Sequence, residues 1–157
     1  MICITGDTHG QFGRLKTFYQ RFETSKDDVM IILGDTGINF NGGIQDKMKK
    51  EFLESLPITI FAIHGNHEQR PQTIEGYLEK VWHGGVVYWE EEYSSLLFAK
   101  DREVFELDRQ QAIVMGGAYS IDKMLRLMYG VASGRINSLP VRLKSMWRAS
   151  WICWGRR

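Results

Sequence analysis

Asp7, His9, Asp35, Asn66 and His67 are the residues of this chain whose types and spacing could do chemistry. They stand in three short loops opened by glycine: Gly6-Asp7-Thr8-His9-Gly10, Gly34-Asp35-Thr36-Gly37 and Gly65-Asn66-His67-Glu68. Asp7 and His9 alternate, so both side chains can leave an extended backbone on one side. A carboxylate with an imidazole is a mixed hard and borderline ligand set, suited to Mn, Fe or Zn more than to Ca. Asp35 brings two oxygens that could bridge two cations, and Asn66 offers a weaker, neutral amide oxygen. His67 is better placed as a general acid or as a donor to a substrate phosphate. Two cations roughly 3.5–4 Å apart assist in-line displacement at phosphorus, because they take up charge on both the attacking and the leaving oxygen. Taken singly, each loop is equally explained by a cap or a turn residue. Three of them in order point to a metal site. His64 lies at the inner end of its strand and reads as a packed or ligand-supporting histidine.

The elements that must position these loops are legible as apolar runs. Ile2 to Thr5, Val29 to Leu33 and Ile58 to Ala62 are short and β-branched, as buried strands are. Between them, Phe12 to Phe22 carries Phe12, Leu15, Phe18, Tyr19 and Phe22 at helical spacing. Ile44 to Leu56 predicts a second helix with Met48, Phe52, Leu53 and Leu56 inward, stopped by Pro57. Strand, helix, strand, helix, strand implies parallel strands, with ligands gathered at the carboxyl edge of the sheet. Beyond Pro71, Thr73 to Val81 predicts a short helix, and Val86 to Trp89 a strand followed by a solvated Glu90-Glu91-Glu92 turn. Leu96–Ala99, Glu103–Leu107 and Ala112–Met115 predict three further strands in an antiparallel or mixed second sheet. Gly116 to Ser120 is another strand-end loop, and Ile121 to Tyr129 reads as a helix.

Bulk properties bound the remaining choices. The chain of 157 residues suits one domain with a real core. A formal net charge of +1 gives no signal for nucleic acid or membrane, and no stretch is long enough to span a bilayer. Two cysteines are too few for a disulfide framework, so a cytoplasmic location is the expectation.

Gly6-Asp7-Thr8-His9-Gly10, Gly34-Asp35 and Gly65-Asn66-His67-Glu68, in that order, resemble the first three motifs of the calcineurin-like metallophosphoesterases. The resemblance covers Met1 to about Tyr129. It implies an α/β fold, an αββα sandwich of parallel and mixed sheets, here incomplete at its C-terminus. It further implies two divalent cations and hydrolysis of phosphate mono- or diesters, the substrate being a small molecule or nucleotide. By resemblance Asp7 and His9 would bind one metal, Asp35 would bridge, Asn66 would bind the second, and His67 would protonate the leaving group. A phosphoprotein substrate is not favoured, because Asp35 is followed by Thr36-Gly37-Ile38-Asn39 rather than by the Asp-Arg-Gly of phosphoprotein phosphatases. The family's two later histidine motifs have no counterpart, since no histidine follows His83. A non-catalytic scaffold or binding module on the same fold is the competing expectation.

Residues 131–157 break the pattern. They hold no Asp or Glu and three of the five Trp (Trp147, Trp151, Trp154), among arginines and lysines. One reading is a basic amphipathic helix with Leu143, Trp147, Trp151 and Trp154 near one face. The other is a shifted reading frame from near Gly130, because Lys144 to Arg156 can be back-translated so that another frame encodes an ordinary charged helix. On that reading residues 1–130 are the N-terminal portion of a phosphoesterase domain, with an unrelated tail at 131–157.

Overall fold

The structure is a computed structural model, and it describes residues 1–40 and 42–117 together with the backbone of residues 151–155. The three β-branched runs form strands β1 (Ile2–Gly6), β2 (Val29–Leu33) and β3 (Thr59–Ile63), linked by helices α1 (Gly13–Arg21) and α2 (Gly43–Glu54). β1 pairs in parallel with β2, and β2 with β3, so all three strands end at the same sheet edge. Strand order advances in one direction, and right-handed crossovers therefore put both helices on one face.

Burial follows the two-residue period of the strands. Met30, Ile32, Ile60 and Ala62 face Leu15, Leu53 and Leu56 of the helical layer. Val29, Ile31, Phe61 and Ile63 face the other way, onto Phe105, Leu107 and Val114. Both faces of β2 and β3 are covered, which is why their sequences read as continuous apolar runs rather than alternating ones. Helices, a six-stranded sheet and a three-stranded sheet stack in that order, three layers of the expected sandwich among the described residues.

Several expectations are corrected. Thr73 to Val81 is not a helix: a single 3-10 turn (Pro71–Thr73) is followed by strand β4 (Leu78–Trp82), antiparallel to β5 (Gly85–Glu90). Ile74, Tyr77, Leu78 and Val81 have helical spacing, but Gly76 between them adopts φ +97°, and Val81 is 74% exposed on the sheet's outermost strand. The strand predicted at Leu96–Ala99 belongs to β6 (Tyr93–Ala99), which is parallel to β3 and completes the main sheet in the order β1-β2-β3-β6-β5-β4. Of the three strands assigned to a second sheet, only β7 (Val104–Leu107) and β8 (Gln110–Met115) lie there. Their third partner is β9 (Trp151–Gly155), so the part of the tail that is described is extended rather than helical. The predictions for Ala118 to Ser150 lie outside the described residues.

Within the helices, Met48 and Phe22 point to solvent. The inward face of α2 carries Asp46, Lys50 and Leu53. Each charge has a partner: Asp46 accepts from the Gly42 N–H at 2.6 Å, and Lys50 lies 2.5 Å from Glu90. Glu90 is thus the inner end of a buried pair, whereas Glu91 and Glu92 form the exposed turn.

Candidate metal centre

The loops after β1, β2 and β3 meet at the carboxyl edge of the sheet. Their backbones are tied together first. The N–H groups of Thr8 and His9 donate to the Asp35 carbonyl at 3.2 and 2.8 Å, and Gly10 N–H donates to the Thr36 carbonyl at 2.8 Å. The approach is too close for a side chain at Gly37, where a Cβ would stand 2.1 Å from the Gly10 nitrogen. Arg14 of α1 donates to the Asp7 carbonyl and braces the first loop from outside. His9 and Asp35 adopt φ of +47° and +40°. Side chains seldom take that left-handed conformation, and it is retained where a site fixes them.

This scaffold gathers Asp7, His9 and Asp35 so that one ligand atom from each lies within 4.8 Å of the others. His9 Nε2 is 3.9 Å from Asp7 Oδ2. Asp7 and His9 are exposed and Asp35 is buried, so the cluster has an open side for substrate and a closed side against the sheet. A hard carboxylate pair with one imidazole fits a first-row divalent cation.

The third loop docks onto Asp35. His67 N–H donates to Asp35 Oδ1 at 2.9 Å, and its ring Nε2 lies 3.9 Å from Oδ2. The His67 ring also stands edge-on to that of His9, with centroids 5.7 Å apart. It therefore covers the cluster from the third loop while remaining partly exposed. Asn66 is half-buried between Gly65 and His67 in the same loop. A Cβ at Gly65 would lie 2.0 Å from Asp35 Oδ1, which makes the absence of a side chain there a condition for the approach.

Glu68 has a role that its position in the sequence does not announce. Its carboxylate is buried and accepts from Thr36 Oγ1 at 2.9 Å, Gly65 N–H at 2.8 Å and Gly37 N–H at 3.3 Å. One side chain thus clamps the second loop to the third. Burial pushes its carboxyl up to about 7, against the pull of the Gly65 N–H and the Thr36 hydroxyl toward the ionised form. Its place directly after the Gly-Asn-His turn was the only signal in the sequence.

His64 is buried behind the turn, 3.6 Å from Asp101, and Gly117 N–H donates to its carbonyl at 3.0 Å. Burial lowers its imidazole to about 4, offset in part by Asp101, so the ring is neutral near pH 7. His83 lies far along the chain in an exposed turn between β4 and β5.

No helix among the described residues is long and apolar enough to cross a membrane. No curated protein and no solved structure matches the chain. Residues 1–145 match the family described as calcineurin-like phosphoesterase, nearly the whole length of the sequence. Together with the Asp7, His9 and Asp35 cluster at two parallel strand ends, that match identifies the chain as a member of the calcineurin-like phosphoesterase family, which makes it a metal-dependent phosphoesterase by descent.

Proposed function

We propose that this chain hydrolyses small phosphate mono- or diesters, nucleotides among them, at a dinuclear centre. The observation that carries this reading is the convergence of Asp7, His9 and Asp35 within 4.8 Å at one sheet edge. These residues would hold the first cation, and Asp35 with Asn66 would hold part of a second. Bound divalent cations, Mn, Fe or Zn, would supply Lewis-acid stabilisation of charge on the phosphoryl oxygens. The protein's own groups do the rest. His67, poised over Asp35, protonates the leaving oxygen or donates to a phosphoryl oxygen. Glu68 and Gly65 hold the His67 turn against Asp35, so the donor and the ligands keep one spacing.

No histidine follows His83 in these 157 residues, so the ligands named here are Asp7, His9, Asp35 and Asn66. We further infer a shifted reading frame for residues 131–157, although Trp151–Gly155 pairs with β8. The family match runs past that boundary to residue 145. Sequencing the coding DNA tests this inference: a longer open frame in another phase is expected, and its absence would sink it.

The hydrolase reading is tested by counting Mn bound to the full chain and assaying bis-p-nitrophenyl phosphate and p-nitrophenyl phosphate. Bound Mn and measurable turnover, both lost in Asp35→Asn, are expected. A folded chain with neither would show that the fold serves here as a scaffold.

A further inference from the structure

A cavity of about 280 Å³ opens at the same sheet edge as the metal cluster, beyond His64. Its lining includes His64, Arg70, Tyr88, Lys100, Asp101 and Arg102. Register explains its position. Ala62 of β3 pairs with Phe98 of β6, so Lys100 leaves the sheet beside His64, just as Asp35 leaves it on the opposite side of β3. Two strand spacings, about 10 Å, separate the strand carrying Asp35 from the strand carrying Lys100.

The cavity wall is cationic. Arg70, Lys100 and Arg102 face a single carboxylate, Asp101. That carboxylate is already engaged: Oδ2 accepts from Arg70 Nη1 at 2.9 Å and Oδ1 from Gly116 N–H at 2.8 Å. Lys100 is 2.8 Å from Glu79, an exposed partner outside the cavity. Arg102 makes no ion pair among the described residues, and it occupies a turn at φ +70°, where glycine or asparagine would cost less. An unpaired guanidinium held in a strained turn at a cavity mouth matches a tetrahedral oxyanion better than a neutral or cationic group.

We propose that this cavity is a subsite for a second phosphate group carried by the substrate, bound by Arg102 and Lys100 with Arg70 behind them. The proposal rests on the hydrolase reading only for the word substrate. It narrows the substrate class to bisphosphorylated esters, one phosphate at the Asp7, His9 and Asp35 cluster and the other about two strands away. Tyr88 and His64 would close the remaining side of the same cavity.

The test uses the isotope-labelled full chain in chelator, where the uncovered carboxylates of the metal cluster repel phosphate. Inorganic phosphate is titrated and amide shifts are followed. Saturable shifts at Lys100, Asp101, Arg102 and Gly116 are expected. Arg102→Asn, which removes the charge but tolerates the left-handed turn, should weaken them about tenfold, as should Lys100→Gln. Asp35→Asn should leave them in place. No saturable shift in the unmodified chain, or shifts confined to the Asp7 and Asp35 loops, would overturn the subsite. So would equal binding by folded Arg102→Asn and Lys100→Gln. Mn stoichiometry is read separately, so a chain that binds phosphate here but no Mn would keep the subsite and lose the hydrolase reading.

Discussion

The main-chain N–H of His67 donates to Asp35 Oδ1 at 2.9 Å, while the imidazole of the same residue stands 3.9 Å from Asp35 Oδ2. The backbone bond sets the position of the third loop and leaves the ring to act on substrate. His67→Ala keeps the first interaction and deletes the second. The expected result is unchanged Mn binding with hydrolysis reduced roughly 10²–10⁴-fold. Equal loss of metal and turnover would assign the ring to the ligand set instead.

Gly65→Ala attacks the docking itself. The new methyl would stand 2.0 Å from Asp35 Oδ1 and 2.2 Å from the Asp35 nitrogen, both parts of a fixed turn. Overpacking of this kind costs about 1–3 kcal/mol. A lower urea midpoint together with weakened Mn binding is expected. Unchanged Mn affinity would mean that the loops tolerate separation.

Glu68 offers a stability prediction that needs no metal. In Glu68→Ala the Thr36 hydroxyl and the Gly65 N–H lose a buried acceptor, at a cost of about 1–3 kcal/mol. Glu68→Gln should lose less, since an amide oxygen can still accept from Gly65 while the Thr36 hydroxyl turns to accept from the amide nitrogen. Chemical denaturation of both variants checks the order, and equal losses would contradict the clamp.

Stability should also respond to pH through the Met1 ammonium and Asp28, 2.6 Å apart. The hydrogen bond to Asp28 raises the Met1 amine above its ordinary 8.0, so its contribution is complete below that value and is lost as pH rises through the folded-state value. The same bond lowers Asp28 below 3.8, so its contribution is present above that value and is lost as pH falls through the folded-state value. The Met1 end is exposed and Asp28 half-buried at the surface, so solvent screening keeps the effect small. Asp28→Asn should flatten both limbs of a plot of urea midpoint against pH. A variant profile parallel to the parent's would remove the pair from the account.

The parts of the fold that sequence exposes most plainly are those covered on both faces. β2 and β3 carry unbroken apolar runs because helices lie on one side and a second sheet on the other. The loops after β1 and β2 bring one ligand atom each of Asp7, His9 and Asp35 within 4.8 Å of one another. β4 was hidden for the opposite reason. It is an edge strand in which Leu78 and Val81 are exposed while Trp82 packs on Phe61, so the helical spacing of its apolar residues is coincidental. On α2, apolar periodicity selected Met48, yet the buried face holds Asp46 and Lys50, whose partners are Gly42 and Glu90. Glu68 was silent because the Thr36 and Gly37 groups it binds lie 32 and 31 residues earlier in the chain.

Those separations have a kinetic meaning. Asp7, Asp35 and His67 come together only when loops of about 30 residues have closed, and loop closure must precede the contacts that reward it. A refolding intermediate with α1 and α2 formed but β1, β2 and β3 unpaired would contain every ligand and no centre. Uptake of Mn during refolding should therefore trail helix formation and report the pairing of three strands at once.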